Sequence, residues 1–322
     1  VALGIAVSVG LIWFAFRDTP FADVWTEIRA VRVLPMLAAV IVATLPFPLR
    51  VPRWALLLRR EDGSAIPTRD LWHAIAVGFA ANNVLPLRLG EVVRMGAISR
   101  LAKVPFPSAL SSVAVERIID ALVAVGLFGL GLLVIDLPVD ASTADKATLV
   151  GILALTALVG AVAVARWPAL ATRPLKTVLP AGRLRETLLG FVDRVVLGLT
   201  ALGDPRHAIP VFAWSVVIWL VNAAAFWIAF RAFDITVPFT GALILQGALL
   251  VGIAVPSSPG YAGVFEAAIK VSLVSLFGVP PDVALAYAIT YHVLTFIPIT
   301  LLGVTSLLTT GLTFRGAREA AR

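Results

Sequence analysis

Asn82-Asn83-Val84-Leu85-Pro86-Leu87-Arg88-Leu89-Gly90-Glu91 interrupts an apolar stretch that runs from about 71 to 102. A second stretch, from about 240 to 276, is interrupted by Pro256-Ser257-Ser258-Pro259-Gly260-Tyr261-Ala262-Gly263-Val264-Phe265-Glu266. Both interruptions read Pro-x-x-x-Gly with a glutamate just behind. Proline removes a backbone donor and glycine frees the chain from helical geometry, so each motif ends one helix and starts another. Each stretch has the length of two short helices joined at a turn. We read them as re-entrant hairpins that enter and leave on one side of a membrane; the alternative is one ordinary span from each. Broken helices at matching positions of two halves point to a transporter-type binding site.

The composition agrees with a membrane setting. The chain has 322 residues, 60% of them hydrophobic and 14% charged, with a mean hydropathy of +0.97. That is the profile of an integral helical membrane protein, not of a soluble domain. There is no cysteine, which excludes disulfides, a thiolate nucleophile and Cys-based metal sites. His73, His207 and His292 stand far apart, and no HExxH, Walker A or GxSxG pattern occurs. No metal or cofactor is expected. A net charge of +7 would suggest nucleic acid in a soluble protein; here the placement of the charges matters more, and no nucleic-acid partner is expected. Val1 already lies in an apolar run, so the natural N-terminus is expected to lie further upstream, and no separate signal peptide is visible.

Six runs are long enough to cross, or nearly so: about 1–16, 33–58, 108–135, 147–166, 208–230 and 282–312. With the two hairpins, the expected fold is an all-α polytopic membrane protein. Arg17, Arg29, Arg32, Lys146, Arg231 and Lys270 fall on one side, Arg117 falls within a span, and the other nineteen of the 26 lysines and arginines fall on the opposite side. The positive-inside rule makes the basic side and the C-terminus cytoplasmic and turns Asp136–Asp145 outward. In the loop 167–207, Leu184, Leu188, Phe191, Val195, Leu199 and Leu202 recur at helical spacing. This predicts an interfacial helix linking two halves.

The halves also align by landmarks. Pro67 corresponds to Pro238, Pro86 to Pro259, Gly90 to Gly263, Pro105 to Pro280 and Ala109 to Ala284, at offsets of 171, 173 and 175 residues. One transmembrane domain is expected over 1–322. It comprises a first repeat (33–135), an extra span with the interfacial linker (147–207) and a second repeat (208–312). The orientation makes the repeat inverted, with the first hairpin open to the cytoplasm, the second to the exterior and the tips meeting near the midplane.

The ionisable residues are unequally shared. Beside the first break stand Asn82, Asn83, Arg88, Glu91 and Arg94, followed by Glu116, Arg117 and Asp120. On a helix, Arg88, Glu91 and Arg94 share an arc of about 120°. A helix starting after Pro86 would aim free N–H groups at the break, where an anion is favoured, and Arg88, Arg94 and Arg117 suit a phosphate. Asn82 and Asn83 could cap the preceding half-helix. Three arginines and three carboxylates also cancel, so a purely structural ion network is the competing reading. The second break offers Ser257, Ser258, Tyr261 and one acid, Glu266. Its alternatives are a simple pair with Lys270, four residues on, or uptake of a proton or sodium ion. His292 falls opposite Arg117 in the alignment and can be a coupling residue or merely hydrogen-bonded. Asn222 and Gln246 read as packing residues. Arg50-Val51-Pro52-Arg53-Trp54 ends a span and reads as an interface anchor, with Arg53 able to collect anionic headgroups.

Taken together, Arg53-Trp54 with Leu56-Leu57-Leu58, Asn82 through Pro86, Arg88-x-Gly90-Glu91-x-x-Arg94, Glu116-Arg117-x-x-Asp120 and Pro259-Gly260-x-x-Gly263-x-x-Glu266 resemble the lysylphosphatidylglycerol synthase transmembrane family. This is the flippase-like domain found in the multiple peptide resistance factor. The resemblance implies a module in the cell membrane that moves an anionic phospholipid or polyprenyl-linked lipid between leaflets. Membrane lipids are then its partners, and a separate lipid-modifying enzyme and an oligomer are compatible with it. Bifunctional relatives carry a soluble aminoacyl-transferase domain. Only about ten residues follow 282–312 here, so synthase activity is not expected of this chain. The rival expectations are a membrane-embedded transferase acting on lipid-linked substrate and a non-transporting scaffold for a separate synthase.

Overall fold

The computed structural model describes residues 2–85, 89–135, 141–167, 205–253 and 258–312, with isolated positions between 169 and 189. Among them there is no strand. The helices are α1 (Ala2–Phe16), α2 (Phe21–Ala30), α3 (Val33–Thr44), α4 (Pro46–Leu57), α5 (Thr68–Val84), α6 (Gly90–Ala102), α7 (Phe106–Val134), α8 (Ala141–Arg166), α9 (Pro205–Phe230), α10 (Phe239–Ile253), α11 (Val264–Phe277) and α12 (Pro281–Thr310). Among the described residues five segments are long and apolar enough to cross a bilayer: Val33–Leu57, Phe106–Val134, Ala208–Phe233, Pro259–Phe277 and Pro281–Thr310. The protein is an all-α polytopic membrane protein. Leu34 and Leu308, 80% and 78% exposed, would be a liability in water and are ordinary on a lipid-facing surface.

Two features add detail to the sequence reading. The segment 33–58 is not one continuous helix: Pro46 has no N–H, and the chain starts a new helix there. Pro259–Phe277, read from sequence as one arm of a hairpin, is long enough by itself to cross. The tip Pro86–Arg88, most of the linker 167–207, Ser257 and the basic tail after Leu312 lie outside the described residues, as do residues 136–140 of the acidic loop.

Local chemistry sets the helix boundaries and repeats between the halves. After α6, Lys103 takes a left-handed conformation (φ 55°), and Val104-Pro105 leads into α7. After α11, Gly278 does the same (φ 65°), and Val279-Pro280 leads into α12. Pro105 and Pro280 have nearly the same backbone angles, φ −56° with ψ 136° and φ −52° with ψ 138°. A left-handed residue ends a helix by turning its last carbonyls toward the following amides, and the extended proline then aims the next helix.

Each broken pair has its own apolar core. Phe47 and Trp54 of α4, Leu71 and Ile75 of α5, Met95 and Ile98 of α6 and Val113 of α7 form one. Met36 of α3, Phe226 and Phe230 of α9, Leu245 of α10, Phe265 and Ile269 of α11, and Tyr287 and Tyr291 of α12 belong to the other. Small residues let the backbones close up, as association in lipid requires. A β-carbon on Gly78 would meet Arg94 Cβ at 2.6 Å and the Gly90 carbonyl oxygen at 3.0 Å, so α5 and α6 fold back tightly on one another. One on Gly303 would strike Ala80 Cβ and approach the Ala76 carbonyl at 2.6 Å, which binds α12 closely to α5.

Candidate functional site

Three helices bring their charges together, and a fourth adds neutral hydrogen-bonding groups. Helix α4 supplies Arg50 and Arg53, α6 supplies Glu91 and Arg94, α7 supplies Glu116, Arg117 and Asp120, and α9 adds Ser215 and Trp219. Arg94 donates to both Glu116 oxygens, Nη1 to Oε1 at 2.8 Å and Nη2 to Oε2 at 2.9 Å. Its guanidinium lies 3.8 Å from the centroid of the Trp54 ring, and the Trp54 indole donates to Ser112 Oγ at 3.0 Å. Arg53 reaches Glu116 Oε1 at 3.0 Å, donates to both oxygens of Asp120 and donates to Ser215 Oγ at 2.9 Å. Trp219 Nε1 donates to Asp120 Oδ1 at 3.2 Å. Arg117 pairs with Glu116, with Asp120 at 3.2 Å and with Glu91 at 3.8 Å. Glu116 therefore faces three guanidiniums.

Burial separates these groups. The Arg53 and Glu116 side chains are fully enclosed and Arg94 is nearly so, while the Arg117 side chain is 41% exposed. Arg50, three residues before Arg53 on α4, is only 9% exposed. Its guanidinium stands 4.9 Å from the centroid of the Phe79 ring, and its Nε is enclosed without a partner. Among the described residues Arg50 has no ion-pair partner. Four buried or half-buried guanidiniums thus meet three carboxylates.

The second break is built differently. Glu266 Oε2 accepts from the Gly263 amide at 2.7 Å, capping α11, and Oε1 lies 2.7 Å from His292 Nδ1 on α12. The imidazole stacks on Phe265, ring centroids 4.2 Å apart. Ser258 N donates to Ser8 Oγ of α1 at 2.9 Å. Gly260 (φ 69°) and Gly263 (φ 84°) use a backbone region open chiefly to glycine, and Tyr261 (φ 62°) shares it at a cost in strain. The breaks touch: a β-carbon on Gly260 would lie 3.5 Å from the Asn83 carbonyl oxygen, at the end of α5.

A family model described as the lysylphosphatidylglycerol synthase TM region matches residues 1–303. The chain belongs to that family. It is also similar to Glycosyltransferase AglD of Haloferax volcanii, 28% identical in an alignment 287 positions long that covers 79% of this chain and 45% of that protein. The chain spans less than half the length of that curated relative.

Within this family member, most sequence-predicted residues are brought into two groups. Arg53, Glu91, Arg94, Glu116, Arg117 and Asp120 form the first, and Glu266 and His292 the second. Arg88 and Ser257 lie outside the described residues. Several roles change. Arg53 and Trp54 are wholly buried instead of anchoring at an interface, because α4 packs against α5, α7 and α9 around the first core. Asn82 does not cap the helix it ends; its Oδ1 accepts from the Gly90 amide at 2.9 Å and caps α6. Asn83 donates to Thr300 Oγ1 at 2.9 Å. Lys270 does not pair with Glu266: its ammonium donates to the Ala15 carbonyl at 2.6 Å and to Thr19 Oγ1 at 2.8 Å. Sequence reasoning missed Arg50, Ser215 and Trp219. Arg50 had a usable signal, since it lies one turn from Arg53 on the same helix face. Among the described residues, no group of three His, Cys, Asp or Glu side chains could hold a metal ion.

Proposed function

We propose that this protein moves an anionic lipid between membrane leaflets, with the headgroup phosphate held by the arginines of the first break and the movement coupled to an ion at Glu266. The observation that carries the reading is the charge imbalance of the buried cluster. Arg50, Arg53, Arg94 and Arg117 stand against Glu91, Glu116 and Asp120, and among the described residues Arg50 has no ion-pair partner. Within a bilayer an unpaired charge costs several kcal/mol. A lipid phosphate arriving beside Arg50 and the exposed edge of Arg117 would offset that cost and so lower the barrier for a headgroup, while its acyl or prenyl chains stay in the bilayer.

In this reading the two broken pairs are opposed re-entrant hairpins of an inverted repeat, one opening to the cytoplasm and one to the exterior. The matching turns at Lys103-Val104-Pro105 and Gly278-Val279-Pro280 support it. So does the pairing of the long-helix base with the glutamate behind each break: Arg117 with Glu91 at 3.8 Å and His292 with Glu266 at 2.7 Å. Irregular backbone at membrane depth needs protein or a wet cavity around it, and the contact of Gly260 with Asn83 provides protein.

A second reading draws on the relative's name. A family member called a glycosyltransferase favours a polyprenyl-linked sugar carrier as cargo, or a membrane-embedded transferase that acts on one. Reconstitution separates these. Purified protein in vesicles should change the accessibility of a labelled anionic headgroup while mass spectrometry finds the lipid chemically unchanged. A new lipid product would favour the transferase.

A further inference from the structure

We infer that Glu266 and His292 together form a proton-binding site that drives this translocation, an inference that rests on the reading above. The two side chains meet at 2.7 Å, and both are largely enclosed, with side chains 13% and 15% exposed. A carboxylate against an imidazole is a pair whose net charge changes by one when a single proton arrives. The proton comes from water on one side, forms one N–H or O–H bond at the pair, and returns to water on the other side when that bond breaks. A metal cation fits poorly. One carboxylate oxygen already receives the Gly263 N–H and the other meets the imidazole nitrogen, while Phe265 covers the ring face.

Among the described residues no further charged side chain forms an ion pair with these two. On α11, Lys270 turns away to Ala15 and Thr19. On α12 the nearest titratable groups are the phenols of Tyr291 and Tyr287, with Tyr291 stacked on Phe265 at 6.2 Å between centroids. Tyr261 belongs to the break itself. Helix α1 presents only Ser8 as a polar side chain, and α10 presents Gln246 but no ionisable group. Helix α2, packed on α12, carries Asp23, Glu27 and Arg29, none of them bonded to the pair. The α9 groups Arg206 and His207 stand at the opposite end of their helix from Phe226, which stacks on Tyr291.

The position of the pair gives the proton mechanical leverage. Ionised Glu266 holds the Gly263 amide and so holds the first turn of α11 against the break; a proton on the imidazole draws the carboxylate's charge toward Oε1 and away from that cap. The break rests on the Asn83 carbonyl. Its neighbour Asn82 caps α6 at Gly90, and α6 carries Glu91 and Arg94 into the arginine cluster. A proton on the second break therefore reaches the phosphate site through contiguous contacts, each of which can be made or released.

The test uses the full chain in vesicles containing a headgroup-labelled anionic phospholipid and a trapped pH-sensitive dye. An imposed pH gradient should speed headgroup movement in the wild type several-fold, with dye-reported proton flux, and an equal sodium gradient should not. Glu266→Gln and His292→Asn should lose the acceleration, read in each variant as the ratio of its rates with and without the gradient. The asparagine retains a donor near the Nδ1 position but cannot take a proton, so a merely structural histidine would leave His292→Asn fully responsive and overturn the inference. Lipid movement indifferent to pH, or driven equally by sodium, would also overturn it while leaving translocation standing. Proton flux that needs His292 without any lipid movement would support the site and refute translocation. The absence of both would refute both.

Discussion

Glu116→Gln probes the arginine cluster at its centre. The wild-type carboxylate accepts two hydrogen bonds from Arg94 at 2.8 and 2.9 Å, lies 3.0 Å from Arg53 and also touches Arg117. The amide keeps the shape but removes the charge that three guanidiniums face, and its NH2 group must point at a donor. Breaking a buried ion pair from one side costs about 3–5 kcal/mol, a fall of roughly 150- to 4,000-fold in the folded-to-unfolded ratio. Arg53 retains Asp120 and Ser215, which argues for the lower end. Adding Arg94→Met removes one of the stranded cations, so the double variant should recover part of the loss. Thermal and denaturant stability in detergent, measured for both singles and the double in a mutant cycle, checks this. A Glu116→Gln protein within about 0.5 kcal/mol of the wild type, or a double variant as unstable as the sum of the singles, would refute the account of the cluster.

Other outcomes follow from the same geometry. Arg50→Met should raise stability in neutral detergent, because it removes a buried cation that has no ion-pair partner among the described residues, and should abolish the extra stabilisation by anionic over zwitterionic lipid; paired melting curves with the two lipids check both. Asn82→Ala should cost about 1 kcal/mol, since it removes the side chain that caps α6 at Gly90, measurable in the same melts. Gly303→Val should lower stability by about 1–3 kcal/mol, because its β-carbon would meet the Ala80 methyl and the Ala76 carbonyl; cross-linking between cysteines introduced on α5 and α12 would report the separation.

The parts of this protein that stood out in the sequence did so because the membrane makes them expensive. Charges such as Arg94 and Glu116 have few reasons to occur in apolar sequence, and a Pro-x-x-x-Gly break is hard to place in a straight helix. Their partners across the fold were not legible. Ser215 and Trp219 reach the cluster from the other half of the chain, 162 and 99 residues from the groups they contact. Spacing suggested Glu266 with Lys270, but helical neighbours compete with whatever else is near. The end of α1 offered Lys270 an unsatisfied carbonyl at Ala15, and α12 offered Glu266 an imidazole. Arg53 and Trp54 looked like the end of a span because nothing local reveals that α5, α7 and α9 close around that end of α4.

The central claim is that the arginines of the first break carry the phosphate of an anionic lipid across the membrane. The most direct measurement is the rate at which headgroup-labelled anionic and zwitterionic phospholipids become accessible from outside vesicles containing the wild type or Arg50→Met, with protein content matched. The account predicts that the wild type moves the anionic lipid at least several-fold faster than the zwitterionic one, and that Arg50→Met removes the difference. Equal rates for the two lipids in the wild type, or an unchanged preference in Arg50→Met, would contradict it.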